Sequence, residues 1–344
     1  MTFREIIKEN CEKHSPVNWW PRFAYHCTDI RNAVSILNYS CIYSRLNAMQ
    51  LDIMQNDNAS RQVIDLTNLS TLSSVRFYFR PKTPTQYYNE GFKHPQLRYY
   101  NDEHANMPVP VFFLFDLEKL LSQPNVKFSE KSQAGVGSIL YEGAEAFSKM
   151  DFDKIYGTDL ATIQKEKSYR HAEILYPNEF WIDTCLCYII CRNEIEKTSL
   201  INLLKTRNPT NFTKYKHLIK TCKENMFENN GLFVTSCAYS SGNAVIKLSD
   251  TLNKKKYTES LMHRNNLNHL DPITLNFKLE WRNQNCLVTQ TETQIRIDYE
   301  NTKSVTFTTV PEYDNASFLR MIVFLEDDLM CFVDQPLNDY EVIR

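Results

Sequence analysis

Residues 170–177 read RHAEILYP. Three titratable groups, Arg170, His171 and Glu173, stand directly against the apolar run Ile174 to Tyr176. A carboxylate at the start of a buried strand is costly to place there without a partner. Two readings account for Glu173. Either it ends a strand, faces solvent and pairs with Arg170, or it is held on a rigid strand facing a cleft. In the second position a carboxylate does chemistry: it binds a hydroxyl, stabilises positive charge developing in a transition state, and takes a proton from an acceptor. Any nucleotide in such a cleft is bound without a Gly-rich phosphate loop. The chain has seven Gly in 344 residues and no G-x-G-x-x-G or Walker-type run. Ten Cys are scattered without a C-x-x-C pair. Cys185, Cys187 and Cys191 of CLCYIIC read as core residues with free thiols, and no metal is implied.

Composition sets the frame for that chemistry. The chain is 42% hydrophobic and 23% charged, ordinary for a soluble globular protein. Its net charge of −2 gives no global field for nucleic acid, so any such binding comes from a local groove. No stretch approaches the roughly 20 apolar residues that span a bilayer, so no membrane partner is expected. The N-terminus, MTFREIIKENCEKH, carries charges where a signal peptide needs an apolar core. With free thiols, this points to the cytoplasm.

The elements that would position Glu173 follow from periodicity. Residues 2–14 read as an amphipathic helix. RFAYHCTDI (22–30) is a strand leading into a helix, with Thr28 or Asp29 as its cap and Ile30, Val34 and Leu37 on one face. VRFYF (75–79) is a strand halted by Pro81 and Pro84. VPVFFLFDL (109–117), RHAEILY (170–176) and TCLCYIIC (184–191) are core strands. Helices are expected at 196–206 and 211–228, and GLFVTSCAY (231–239) as a closing strand. After about Gly242 the texture changes. ITLNFKLEW alternates, and QIRIDY, SVTFTTV and FLRMIVFL continue as short strands, the signature of a small all-β sandwich or barrel. The basic cluster NKKKY (253–257) is expected on a turn between strands. The reading is an α+β fold in two parts, 1–242 and 243–344.

Four segments in order carry a resemblance: YHCTDIRNAVSIL (25–37), VRFYFRPKTPTQYYNEG (75–91), FSKMDFDKIYG (147–157) and YRHAEILY (169–176). Together they resemble the DarT family, nucleic-acid ADP-ribosyltransferase toxins of DarTG-type toxin–antitoxin systems. The family's forms run close to YHITHxxNLxxIL, VPFYFxPRSPMLY, LDWxxI and QAEFLV. The resemblance covers roughly residues 18–240. It implies a split β-sheet core of the ADP-ribosyltransferase type. It also implies NAD as co-substrate, single-stranded DNA or RNA as acceptor, and an antitoxin or other neutralising partner. Glu173 would be the catalytic carboxylate, acting on an oxocarbenium-like transition state at the NAD ribose. His26, Thr28, Tyr78 and Tyr87 would contact NAD, and Arg80, Lys82 and Arg170 would meet phosphates of the nucleic acid. The loop 129–157 would recognise the target. One departure stands out. The family's basic segment before VPFYF reads QNDNASRQVI here, so only Arg61 is available as the catalytic arginine, or that role is filled differently. The same loss of basic residues leaves DNA and RNA both open. Two other functions remain: NAD-dependent modification of a protein or simple NAD hydrolysis, and a degenerate, non-enzymatic binding module.

Overall fold

The computed structural model describes residues 1–57, 64–65, 67–98, 106–133, 139–158, 166–222, 226–284, 286–308, 313 and 315–337. The first helix, Phe3–Lys13, starts at a capping box in which Thr2 and Glu5 satisfy each other's backbone N–H groups. Among the described residues the first strands are β1 (Phe23–Asp29), β2 (Cys41–Tyr43), β3 (Ser74–Tyr78), β4 (Pro110–Asp116), β5 (Lys127–Ser129), β6 (Glu173–Pro177), β7 (Glu179–Trp181), β8 (Leu186–Cys191) and β9 (Ile219–Thr221). Seven of them make one mixed sheet, in the order β5-β6-β3-β1-β4-β8-β9, and β2 pairs with β7 beside it. All neighbours in the large sheet are antiparallel except β8 and β9. β4 lies inside it, next to the central β1, with six successive buried residues, as its unbroken apolar run requires.

The sheet has two buried faces. Phe77, Phe113, Phe115 and Ile174 pack with Ala33 and Leu37 of the helix Ile30–Tyr39 and with Leu200 and Leu204 of the helix Glu194–Arg207. Tyr25, Phe112, Leu114 and Ile190 pack on the other side against Met226 and Phe227. The helix Ile30–Tyr39 begins where β1 ends, because the Asp29 carboxylate caps it by accepting from the Arg31 N–H. β1 and β3 share a single residue pair, Tyr25 with Tyr78, and beyond it the two strands part. This is the split in the sheet.

After these come β10 (Val234–Ser240), at the end of the first part, and then β11 (Asn243–Leu248), β12 (Ile273–Asn283), β13 (Cys286–Ile297), β14 (Ser304–Phe307), β15 (Phe318–Leu325) and β16 (Asp328–Pro336). They form two sheets, β10-β11-β14 and β13-β12-β15-β16. The sheets face each other with Phe277 stacked on Phe307, ring centres 4.6 Å apart. Gly242 turns the hairpin between β10 and β11 at φ 74°, so paired strands lie on both sides of the change in sequence texture.

Two local expectations are corrected. The helix expected over 211–228 is the short helix Pro209–Tyr215, after which Ile219 is drawn into the sheet edge beside β8. NKKKY is not on a turn but inside the helix Leu252–Arg264. There Lys254, Tyr257, Thr258 and Leu261 share the buried face, and Lys254 Nζ donates to the Tyr299 carbonyl at 2.8 Å. Of the loop 129–157, residues 134–138 lie outside the described residues. The remainder carries the helices Gly143–Phe147 and Phe152–Tyr156.

Candidate active site

Strand alternation decides what reaches the split. Along β3, Val75 and Phe77 go into the core, so Arg76 and Tyr78 emerge on the opposite face. β6 lies beside β3 with Glu173 directly across from Tyr78, and β5 flanks it with Ser129 across from Glu173. Glu173 therefore sits on the cleft side of the sheet, yet it is completely buried. Its partner is not Arg170. Arg76, one diagonal step away, donates Nε to Oε2 at 2.8 Å and Nη2 to Oε1 at 2.6 Å. A third donor, the Gln133 N–H, lies 3.4 Å from Oε1. This fork-on-carboxylate pair is the strong form of ion pair. Burial works against the Arg76 charge, but Glu173 beside it more than offsets this and raises the guanidinium's pKa.

His26 fills the point where β1 and β3 separate. Its Nδ1 lies 3.0 Å from the Arg76 carbonyl. A carbonyl only accepts, so Nδ1 carries the proton and Nε2 is left as an acceptor. Burial lowers the His26 pKa, which keeps the ring neutral. The cavity that opens here has a volume of about 660 Å³, within the usual span of small-molecule sites. His26, Thr28, Asn32, Arg76, Tyr78 and His171 are among its walls. His171, two residues before Glu173, is held neutral to an unusual degree. Burial first, then the charges of Arg76, Lys167 and Arg170, push its pKa down to about 3.

The remaining expected site residues divide. Tyr78 lines the cavity, whereas Tyr87 is 40% exposed and packs edge-on against Tyr88 and Tyr257. Tyr88 is the one of that pair on the cavity wall. Arg80 borders the cavity but does not present its charge as a surface phosphate contact would. It is 2% exposed, its Nη1 donates to the carbonyls of Ile155 and Gly157 at 2.6 and 3.0 Å, and its guanidinium lies over Trp20. Burial and the neighbouring Arg170 bring its pKa down to about 9. Arg170 donates to the Lys82 carbonyl at 2.6 Å, and Lys82 itself adopts a left-handed backbone, φ 58°. The buried Arg80 on the cavity wall and the half-buried Lys82 and Arg170 beside it thus form one basic corner. Arg61 lies outside the described residues. Sequence reasoning missed Arg76 and His171. Arg76 had a signal, a polar residue alternating with Val75 and Phe77 in VRFYF.

The model of one protein family, described as "ssDNA thymidine ADP-ribosyltransferase, DarT", matches residues 25–227, more than half of the chain. The chain belongs to the DarT family. It is accordingly an ADP-ribosyltransferase, an enzyme class whose donor is NAD. The matched DarT region holds His26, Thr28, Arg76, Tyr78, His171 and Glu173 and stops before the C-terminal sheets. Among solved structures, Thermus sp. 2.9 DarT in complex with carba-NAD+ is similar at 15% identity. The match covers 60% of this chain and 98% of that one, with a TM-score of 0.46. Thermus sp. 2.9 DarT in complex with ADP-ribosylated ssDNA matches at 15% identity over 59% and 94% of the two chains, TM-score 0.46. Thermosipho africanus DarTG in complex with ADP-ribose matches at 16% identity over 56% and 51%, TM-score 0.42. No curated protein matches the chain.

Proposed function

We propose that this chain transfers ADP-ribose from NAD to a base of single-stranded DNA, with Glu173 as the catalytic carboxylate. The observation that carries the reading is the Arg76–Glu173 pair: Arg76 lines the cavity beside the split between β1 and β3, and Glu173 lies buried directly behind it. The residues present fit a dinucleotide. The cavity is large enough, His26 offers a neutral acceptor for a ribose hydroxyl, and Tyr78 offers a ring beside the carboxylate. Bound NAD supplies the ADP-ribosyl group and the nicotinamide bond that is broken.

The chain's own residues do the rest. Glu173 holds a ribose hydroxyl and balances positive charge developing at the adjacent carbon. Arg76, with a side chain 26% exposed, covers the carboxylate until a hydroxyl takes its place. Arg76 also takes the part expected of Arg61, since it is the arginine already bound to Glu173. Arg80, Lys82 and Arg170 form the basic corner past which a strand would run, with Lys82 and Arg170 nearer its phosphates. In function, residues 1–242 are the transferase part and 243–344 an accessory β part. The biological setting we infer is a toxin with a neutralising partner, used against phage.

The test is transfer of label from NAD to single-stranded DNA, single-stranded RNA, duplex DNA and added protein in parallel. Label on single-stranded DNA supports the reading, and label on RNA alone changes the acceptor to RNA. Label only on protein, or free ADP-ribose alone, overturns it. In cells, wild type arrests growth and Glu173→Ala does not; equal toxicity of both contradicts the toxin assignment.

A further inference from the structure

One residue beyond the DarT match is tied to the transferase part just behind the cleft. Asp328 opens β16, just after the tight turn at Glu326, φ 49°. Its carboxylate is bound by three side chains of the transferase part. Asn106 Nδ2 donates to Oδ2 at 2.5 Å, Arg98 Nη2 to Oδ2 at 3.2 Å, and Arg31 Nη2 to Oδ1 at 3.5 Å. Asn106 is 2% exposed. From there a line of amides continues. The Asn106 carbonyl accepts from Asn56 Nδ2 at 3.0 Å, and the Asn56 carbonyl accepts from Asn32 Nδ2 at 2.7 Å. Asn32 Oδ1 in turn accepts the N–H groups of Gln55 and Asn56 at 2.9 and 3.1 Å.

The end of this line is cavity wall: Asn32, Ile53, Met54 and Asn56 all face the cleft. Residues 53–57 belong to no helix or strand. Such a segment stays in place through its side-chain anchors, because no backbone ladder fixes it. Asp57 is held by its pair with Arg45, and Gln55 and Asn56 by this amide line. The sequence then runs on directly to Arg61.

We propose that Asp328 is a positioning residue for the NAD cleft. Through Asn106 it fixes segment 53–57, so the sheet beyond the DarT match supports the site's wall from behind and is not a detachable module. This rests on the reading of the cleft as the NAD site. It also explains why a carboxylate is kept at the start of β16, where two arginines and an amide of the transferase part converge on it.

The experiment uses the full chain with Asp328→Asn and Asn106→Ala, the second removing the linking amide while Arg31 and Arg98 stay paired with Asp328. Two readouts are taken: hydrogen exchange of the Gln55 and Asn56 amides without ligand, and KM for NAD against kcat. Loss of one anchoring hydrogen bond predicts faster exchange of those amides. It also predicts a rise of about three- to tenfold in KM, with kcat at saturating NAD within about twofold. Unchanged exchange in both variants overturns the proposal. So does faster exchange with unchanged KM, which would make Asp328 a purely structural tie. Should the wild type consume no NAD, the reading of the cleft fails, while the exchange data still decide whether Asp328 holds segment 53–57.

Discussion

Replacing Arg76 by Met removes the guanidinium but keeps most of the apolar stem. Glu173 is then left fully buried, with both oxygens stripped of their close donors and, among the described residues, the Gln133 N–H at 3.4 Å. Breaking a buried pair by deleting one partner costs about 3–5 kcal/mol. The lower end applies here, because the Arg76 side chain is 26% exposed and water can follow it in. About 3 kcal/mol corresponds to a fall in melting temperature of roughly 5–10 °C. Arg76→Met with Glu173→Gln removes the charge as well as its partner and recovers about 2 kcal/mol of that loss, a coupling typical of contacting groups. Thermal and urea unfolding of wild type, both single variants and the double variant complete the cycle. A single-variant cost under 1 kcal/mol, or additivity in the double variant, would refute the claim that Arg76 compensates a buried Glu173.

Three further outcomes follow from the same geometry. Because the folded pKa of His171 is about 3 against an ordinary 6.5, the unfolded chain binds the proton first as pH falls. Stability therefore declines from about pH 6.5 downward, and His171→Gln flattens that decline in unfolding curves taken at pH 7 and pH 5. Arg80→Met leaves the Ile155 and Gly157 carbonyls without their donor, costing about 1–3 kcal/mol in urea unfolding. It should leave the salt slope of DNA binding unchanged, whereas loss of a phosphate contact would reduce that slope by about one. At Gly231 an added Cβ would stand 2.7 Å from the Gly91 carbonyl carbon and 2.8 Å from the Glu90 oxygen. The two backbones would have to part, so Gly231→Ala costs about 1–3 kcal/mol, again read by unfolding.

What could be read in advance depended on the range of the interaction. The run of β4 and the cap at Asp29 are written locally, and both lie where periodicity puts them. Glu173 was legible as a residue in need of a partner. The partner was not, because Arg76 is 97 residues away and meets it only through the register of β3 on β6. Arg170, three residues before it, was the nearer candidate and instead ties the Lys82 backbone. The helix Leu252–Arg264 was obscured by its three lysines, although Lys254, Tyr257, Thr258 and Leu261 already showed helical spacing. The link from Asp328 to the cleft spans 222 residues to Asn106 and leaves no local mark.

The most direct test of the account is label transfer from NAD to single-stranded DNA by wild type and by Glu173→Gln, an isosteric change that keeps the side chain and removes its charge. The expected result is robust labelling by the wild type and a loss of at least a hundredfold in the variant, with NAD binding and the far-UV spectrum retained. A variant that folds, binds NAD and transfers at the wild-type rate would contradict it.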